Sequence, residues 1–306
     1  MITVLLASYN GEAYLRQQLD SILNQTFQEL SIVISDDQSF DGTPSIIKEY
    51  RERYPQKIRC LVNQTPSGSA QNNFFRLLRE AGGGYVMLCD QDDIWLPDKV
   101  EVTWKEMKRQ EKQWGLDTPI LIHGDLSVTD ENERILHKSM VKFQKIGVRN
   151  NRFSHYLVEN NITGSTVMLN PAFAPFLALS PKVCMMHDWW LGLLASCFGT
   201  IAYIDRPLLL YRQHGNNQLG AKSGMKQLME RLCNHQRAKE QYGRIFLQAE
   251  AFLDCFGDRM SKEHRDVLAH FLMLPERSRI GKIVDILTYK FYKSTLIRTF
   301  GQMLSI

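Results

Sequence analysis

Short apolar runs alternate with stretches of helical spacing along the first third of the chain. Ile2 to Ala7 predicts a buried strand, broken by Ser8-Tyr9-Asn10-Gly11. Glu12 to Gln25 follows with Leu15, Leu19, Ile22 and Leu23 on one side, the spacing of an amphipathic helix. Leu30 to Ser35 is a second strand, ending in Asp36-Asp37-Gln38-Ser39-Phe40-Asp41-Gly42-Thr43, and a helix runs on to about Tyr54. Ile58 to Val62 is a third strand, and Ser67 or Gly68 opens a helix through Ala81. Tyr85 to Cys89, after three glycines, is a fourth apolar strand. It leads straight into Asp90-Gln91-Asp92-Asp93, and Pro97 starts the next helix.

Strands that alternate with helices predict an α/β fold, a mostly parallel sheet wound by right-handed crossovers. Ligands of such sheets bind outside the carboxyl ends of the strands. Three polar stretches fall there: Ser8-Tyr9-Asn10, Ser35-Asp36-Asp37 and Asp90 to Asp93. Further on, Pro119 to His123 predicts a strand ending at Gly124-Asp125, and Gly164 to Leu169 another. Arg149 to Asn161 is polar and matches neither period. Met186-His187-Asp188 precedes a largely apolar helix from Trp189 to Phe198. Thr200 to Ile204 and Leu208 to Arg212 read as two short strands around Arg206-Pro207, and a polar loop, Arg212 to Asn217, follows. From Met225 the pattern is helical to the end.

Composition narrows this only slightly. With 306 residues, 44% hydrophobic and 23% charged, the chain is long enough for one large domain with an appendage and too apolar to be disordered. The net charge of +4 decides little, but its placement matters: from Arg277 onward six Lys or Arg face one acid, Asp285. Six cysteines lack any Cys-x-x-Cys pair, which predicts reduced core thiols and a cytosolic protein. The chain enters its first strand with no basic leader, against a signal peptide, and no apolar run reaches the ~18 residues of a membrane span. Gly-x-Gly-x-x-Gly is absent, so no dinucleotide site is indicated by motif.

The densest chemistry is the acid cluster after the fourth strand. Three carboxylates within four residues repel one another, and a divalent cation with oxygen ligands, Mg2+ or Mn2+, removes that cost. A solvated acidic turn at the start of the next helix is the other reading.

The segments Val4-Leu5-Leu6-Ala7-Ser8-Tyr9-Asn10-Gly11, Ser35-Asp36-Asp37-x-Ser39-x-Asp41-Gly42-Thr43 and Asp90-x-Asp92-Asp93, in that order, resemble family 2 glycosyltransferases of the GT-A fold. His187-Asp188-Trp189-Trp190 and Tyr211-Arg212-Gln213-His214-Gly215-Asn216-Asn217 look like the rhamnosyltransferase branch. The resemblance covers residues 1 to 217. It implies a GT-A domain over 1–220, a helical C-terminal region over 221–306, and an inverting transfer from a nucleotide-diphosphate sugar. It places Ser8, Tyr9 and Asn10 along the nucleotide, Asp36 or Asp37 at the base or ribose, Asp90 and Asp92 as the Asp-x-Asp acids with Asp92 on the metal, Asp188 as base, and His214 near metal and diphosphate.

The chemistry suits these groups. Charge develops on a leaving phosphate, which a metal at Asp92 and His214 offsets and which Arg212 neutralises. A carboxylate within reach of the acceptor hydroxyl takes its proton. Asp188 equally suits a helix N-cap. Trp189 and Trp190 are candidates for the acceptor side but cannot both face one way on a helix, and one is expected in the core. Gly164, in Asn160 to Ser165, borders an acceptor pocket or makes a tight turn. Asp41-Gly42 reads as a helix start, and His123 and Asp125 as ordinary loop residues.

The best reading is transfer of L-rhamnose from dTDP-rhamnose to a lipid-linked oligosaccharide or surface polysaccharide precursor, with a UDP-hexose or UDP-N-acetylhexosamine donor as the alternative. A processive synthase is disfavoured by the absence of Gln-x-x-Arg-Trp and of membrane spans. A nucleotide-sugar-binding module without turnover is the reading from another class. The basic and apolar stretch Ile280 to Ile306 suits either a helix packed on the rest of the chain, or on a second copy, or one lying on the anionic inner face of a membrane.

Overall fold

The computed structural model describes residues 1–214 and 235–305. Backbone contacts divide it into two compact units. The first holds Met1–Met140, Thr163–Ala178 and the described part of Ile201–Gly220; the second holds Val141–Ile162, Leu179–Thr200 and the described part of Ala221–Ile306.

The first unit is built on one sheet. Its strands are β1 (Ile2–Ser8), β2 (Leu30–Asp36), β3 (Ile58–Leu61), β4 (Tyr85–Asp90), β5 (Ile94–Trp95), β6 (Ile120–Thr129), β7 (Ile135–His137), β8 (Met168–Leu169) and β9 (Thr200–Arg212). Their order is β3-β2-β1-β4-β8-β6-β9-β5, with β7 on β6. The β3-β2-β1-β4 half is parallel, and β4-β8, β8-β6, β6-β7 and β9-β5 are antiparallel. β1 is buried along almost its whole length, as an interior parallel strand must be. Its register sets Ser8 beside Asp36 of β2 and Ala7 beside Asp90 of β4, so the three polar strand ends share one edge.

Helices α1 (Leu15–Leu23), α2 (Thr43–Arg53), α3 (Ala70–Arg79) and α4 (Lys99–Trp114) connect these strands. α1 buries Leu15, Gln18, Leu19 and Ile22, one stripe at i, i+3, i+4 and i+7. α3 opens on Ser69, whose hydroxyl accepts the Asn72 N–H at 3.2 Å.

Several elements differ from the sequence reading. β6 does not stop at His123 but runs to Thr129. Gly124 is tolerated because a side chain there would meet Leu208 at 3.2 Å, and Asp125 is satisfied inside the strand by Ser139 and by the Leu126 N–H. His123 and Asp125 are therefore buried strand residues, not loop residues. The two strands expected around Pro207 are one, β9; pairing resumes at once, with the Leu96 N–H donating to the Leu208 carbonyl at 3.0 Å. Gly164–Thr166 is a 3-10 turn, because Thr166 bonds back to the Thr163 carbonyl through both its N–H and its hydroxyl, and only Met168–Leu169 pairs as strand.

The second unit is helical, and the polar stretch near residue 150 belongs to it. The short helix α5 (Met140–Gln144) leads into it, and the short helix α7 (Ala174–Leu177) belongs to the first unit. The core of the second unit forms where α6 (Phe153–Tyr156), α8 (His187–Phe198) and α9 (His235–Phe256) supply aromatic rings. Trp190 packs edge-on to Phe252 with centroids 5.3 Å apart, and Phe153 lies 5.7 Å from the same ring. α10 (Lys262–Met273), α11 (Arg279–Tyr289) and α12 (Leu296–Ser305) follow. The stretch expected as one segment from Ile280 to Ile306 is two helices, since Lys290 adopts φ +59° and closes α11. The expected helix start at Met225 lies outside the described residues. Among the described residues no helix is long and apolar enough to cross a membrane, and Cys60, Cys89, Cys184, Cys197 and Cys255 are unpaired; Cys233 lies outside them.

One buried charge lies under the acid loop. Lys99, at the start of α4, is fully buried with its ammonium 3.8 Å from the Trp95 ring centre. Burial lowers its pKa to about 7, against the opposite pull of Cys89 and Asp93.

Two expectations follow from this packing. A Cβ at Gly192 would lie 2.6 Å from Cε1 of Tyr156, whose ring is fully buried and pinned by a 2.5 Å hydroxyl bond to Asn161. Gly192→Ala therefore costs about 1–3 kcal/mol net, because the clash exceeds the ~1 kcal/mol helix propensity gained; urea unfolding measures it, and an unchanged midpoint would mean the ring yields. Between pH ~7 and ~10.5 the unfolded chain holds a proton on Lys99 that the folded chain lacks. Raising the pH through that window hence stabilises the wild type relative to Lys99→Met, by at most about 1.4 kcal/mol per pH unit. Parallel stability curves for the two proteins would show instead that Lys99 stays charged.

Candidate active site

The site is built where β1, β2 and β4 end. The Ser8 hydroxyl donates to Asp36 at 2.9 Å, and Asp36 also accepts the Ser39 N–H at 2.9 Å and hydroxyl at 2.6 Å. Asn10 holds φ +48°, an uncommon angle outside glycine, and is fixed there by its N–H to Ser39 Oγ at 2.8 Å and by its side-chain oxygen accepting the Phe40 N–H at 3.1 Å. Tyr9 points outward and is half exposed, with Phe40 edge-on at 6.2 Å. Asp37 turns the other way: its carboxylate takes the N–H groups of Ser67 and Gly68 and pairs with Arg76 at 3.6 Å. Asp36 and Asp37 are thus both engaged in shaping these loops.

Gln91 was not singled out by sequence, and it ties two strand ends together. Its side-chain amide bonds both to the N–H and to the carbonyl of Tyr9, each at 2.8 Å. A Cβ on Gly11 would meet that amide at 2.2 Å, which explains glycine at this position. Asn73 of α3 does similar work below, donating to the Ser35 carbonyl at 2.8 Å. The signal for both was a polar residue at a strand end or on the buried side of a helix, which sequence cannot tell from a solvated one.

The acid cluster meets a distant segment. β5 pairs with β9, Ile94 opposite Leu210, and this returns the chain beyond Arg212 to the cluster. His214 Nε2 lies 2.9 Å from Asp92 Oδ2, across 122 residues of sequence. Its ring stacks on Tyr14 with centroids 4.5 Å apart, which holds it in place. Arg212 lies 5.0 Å over the same tyrosine and is turned toward Gln17, at 2.5 Å, and Glu133, at 3.8 Å. Asp90 is the last residue of β4, half-buried. Asp93 is fully buried, and among the described residues no hydrogen bond of good geometry reaches either carboxyl oxygen. Burial first, then the charges of Asp92 and Asp90, push its carboxyl well above the usual range.

The chemistry of Asp92 and His214 fits a divalent cation: one hard oxygen and one imidazole nitrogen face each other in a region with excess carboxylate. Among the described residues no three His, Cys, Asp or Glu gather into a closed cage. Two protein ligands are what a cation shared with substrate phosphates needs. Gly215-Asn216-Asn217, expected as a phosphate-facing loop, lies outside the described residues. Gly164 is in the same unit, buried in its 3-10 turn.

The remaining candidates belong to the second unit. Asp188 is in the first turn of α8, where the helix dipole favours a carboxylate, but the N-cap is Met186. Its Oδ1 accepts the Trp189 N–H at 2.7 Å and the Asn160 amide at 3.1 Å, which orients the carboxylate. Both tryptophans are buried. Trp190 is a core residue, as one of the pair was expected to be; Trp189 is covered too, its indole N–H donating to the Tyr156 carbonyl at 2.6 Å.

Comparison with known proteins places this arrangement. The family model "Glycosyl transferase family 2" matches residues 3–176. The chain is 31% identical over 239 residues to the dTDP-rhamnosyl transferase RfbG of Shigella flexneri, covering 74% of this chain and 78% of that one. It is 29% identical over 222 residues to the uncharacterised Mycobacterium tuberculosis protein Rv1520, covering 70% of this chain but only 59% of that one. Among solved structures, Staphylococcus aureus TarS 1–349 in complex with UDP aligns with a TM-score of 0.55 at 19% identity, over 91% of this chain and 73% of that one. The fold is thus the GT-A fold, and the chain belongs to glycosyltransferase family 2.

Proposed function

We propose that this glycosyltransferase moves L-rhamnose from dTDP-L-rhamnose to a hydroxyl of a lipid-linked oligosaccharide or surface polysaccharide precursor, with inversion. The observation that carries the reading is the Asp92–His214 pair at the carboxyl edge of the sheet. Its support for rhamnose is the similarity to RfbG, a dTDP-rhamnosyl transferase by name.

In this reading the Ser8-Tyr9-Asn10 loop and Asp36 line the nucleotide, held rigid by Ser39 and Gln91. Asp37 shapes the Ser67-Gly68 side of the same pocket. Asp92 and His214 hold Mg2+ or Mn2+, with Asp90 beside the donor and Arg212 adding positive charge. Bound there, the cation supplies Lewis-acid stabilisation of the leaving diphosphate. Asp188, oriented by Asn160 and the first turn of α8, takes the proton of the attacking hydroxyl. The burial of Trp189 and Trp190 makes them supports for Asp188 and leaves acceptor contacts to other residues, with Gly164 retained as a candidate.

A second reading keeps the chemistry and changes the donor to a UDP-sugar. It is favoured by the fold neighbour TarS, which was solved in complex with UDP-GlcNAc. Turnover separates both from a module that binds a nucleotide sugar without reaction.

Purified protein offered dTDP-L-rhamnose, UDP-glucose, UDP-galactose and UDP-N-acetylglucosamine is expected to release dTDP alone, and EDTA is expected to stop it. Release of UDP instead removes the rhamnose assignment and leaves the mechanism. Asp188→Asn is expected to lower kcat by about 10²–10⁴-fold with donor binding retained. Asp92→Asn is expected to raise the metal concentration needed for half-maximal rate. Donor binding by the wild type with no turnover in the presence of lipid-linked acceptor mixtures would sink the enzymatic reading.

A further inference from the structure

Helix α11 is amphipathic in the inverted sense. It turns Asp285 inward, where it pairs with Arg277 at 3.1 Å, and leaves aliphatic side chains outside. Ile280 is 77% exposed, Val284 53%, Leu287 51% and Ile283 44%. The spacing i, i+3, i+4, i+7 gathers all four within about 100° of the helix circumference. A surface helix ordinarily buries such a stripe. The N-terminus is well made, with Ser278 Oγ accepting the Gly281 N–H at 3.2 Å, and Ile286 and Phe291 are fully buried, so the helix is anchored in this orientation.

The surroundings indicate what covers the stripe. Arg279 at the start of α11 and Lys290 at its end are both exposed, and Lys282 is half-buried between them. The single acid of the chain beyond Arg277 is the inward Asp285. An apolar face flanked by cations fits an anionic lipid surface, where aliphatic side chains enter the acyl boundary and Lys or Arg meet head groups. A second copy of the chain fits less well. An 11-residue helix is about 16 Å long, and a one-helix stripe falls well short of the ~800 Å² per partner of a stable interface. Two copies would also bring like charges together.

We propose that α11 is an interfacial helix that docks the protein on an anionic membrane surface through Ile280, Ile283, Val284 and Leu287. This docking is independent of which nucleotide sugar is used, so its failure leaves the proposed activity standing. The test is flotation of the full chain with vesicles of phosphatidylcholine, alone or mixed with phosphatidylglycerol. The wild type is expected to float with the mixed vesicles and far less with phosphatidylcholine alone. Ile280→Ser with Val284→Ser and Leu287→Ser, all exposed positions, is expected to weaken binding about tenfold or more without changing the thermal midpoint or turnover of a soluble donor. Arg279→Glu with Lys290→Glu, which leaves the apolar stripe intact, is expected to abolish the preference for phosphatidylglycerol. Equal flotation of the wild type and the triple variant, or no flotation of the wild type, overturns the proposal. So does a wild-type dimer that the triple variant converts to monomer without any vesicle binding, which would assign the stripe to a second copy.

Discussion

Repulsion among Asp90, Asp92 and Asp93 is the constraint around which the first unit is arranged. Three carboxyl groups at the end of one buried strand have to be neutralised, separated or paired, and the structure does each once. Asp93 is buried deeply enough that its carboxyl is pushed toward the neutral form. Asp90 remains at the half-exposed strand end. Asp92 meets His214. Each solution recruits other parts of the chain: Lys99 and Trp95 lie beneath the loop, β5 pairs with β9 to bring His214 round, and Tyr14 holds the imidazole by stacking. A cluster that costs stability is retained where its charge has a use, and a divalent cation is the simplest use for carboxylates at this position.

The parallel half of the sheet was legible because its signals are local. β1, β2, β3 and β4 are apolar runs bounded by polar breaks, and their common direction follows from the helices between them. The later strands were harder for a physical reason: they are held by tertiary partners. Gly124-Asp125 looks like a strand end until Leu208 and Ser139 are in place around it. Pro207 looks like a break because its missing N–H is visible in sequence and the pairing on either side is not. Ile94–Trp95 is too short to register as a strand, yet it is the pairing that brings His214 to the acids.

The candidate residues divide in the same way. Those at or just beyond strand ends, Ser8, Asn10, Asp36 and Asp92, share an edge because β1, β2 and β4 run parallel and end on the same side. What each one touches was not readable. The Asp36-Asp37 pair looked like two equivalent choices, but neighbouring residues on a strand face opposite sides, and the two acids serve different loops: Ser8 and Ser39 for one, Ser67, Gly68 and Arg76 for the other. Adjacent tryptophans on a helix diverge by about 100°, so at least one had to leave the acceptor side. Both are buried, because α8 is apolar around its circumference and neighbours cover it on each side.

A site with two protein ligands is an incomplete one, and that shapes how the proposed cation and donor would bind. As proposed ligands, Asp92 and His214 would fill a minority of the six positions that Mg2+ prefers, so affinity for the free ion is expected to be modest. A diphosphate supplies further oxygens to the same centre, and whatever affinity it adds to the cation the cation returns to it, since the coupling free energy is shared. The loops proposed to line the nucleotide would contribute to this as well. Asn10 in its left-handed conformation and Gln91 across the β1 and β4 ends are fixed by hydrogen bonds within the chain, so little ordering remains to be done when a nucleotide arrives. Preorganisation on the nucleotide side and under-coordination on the metal side thus favour the same occupant, a nucleoside diphosphate carrying its own counter-ion.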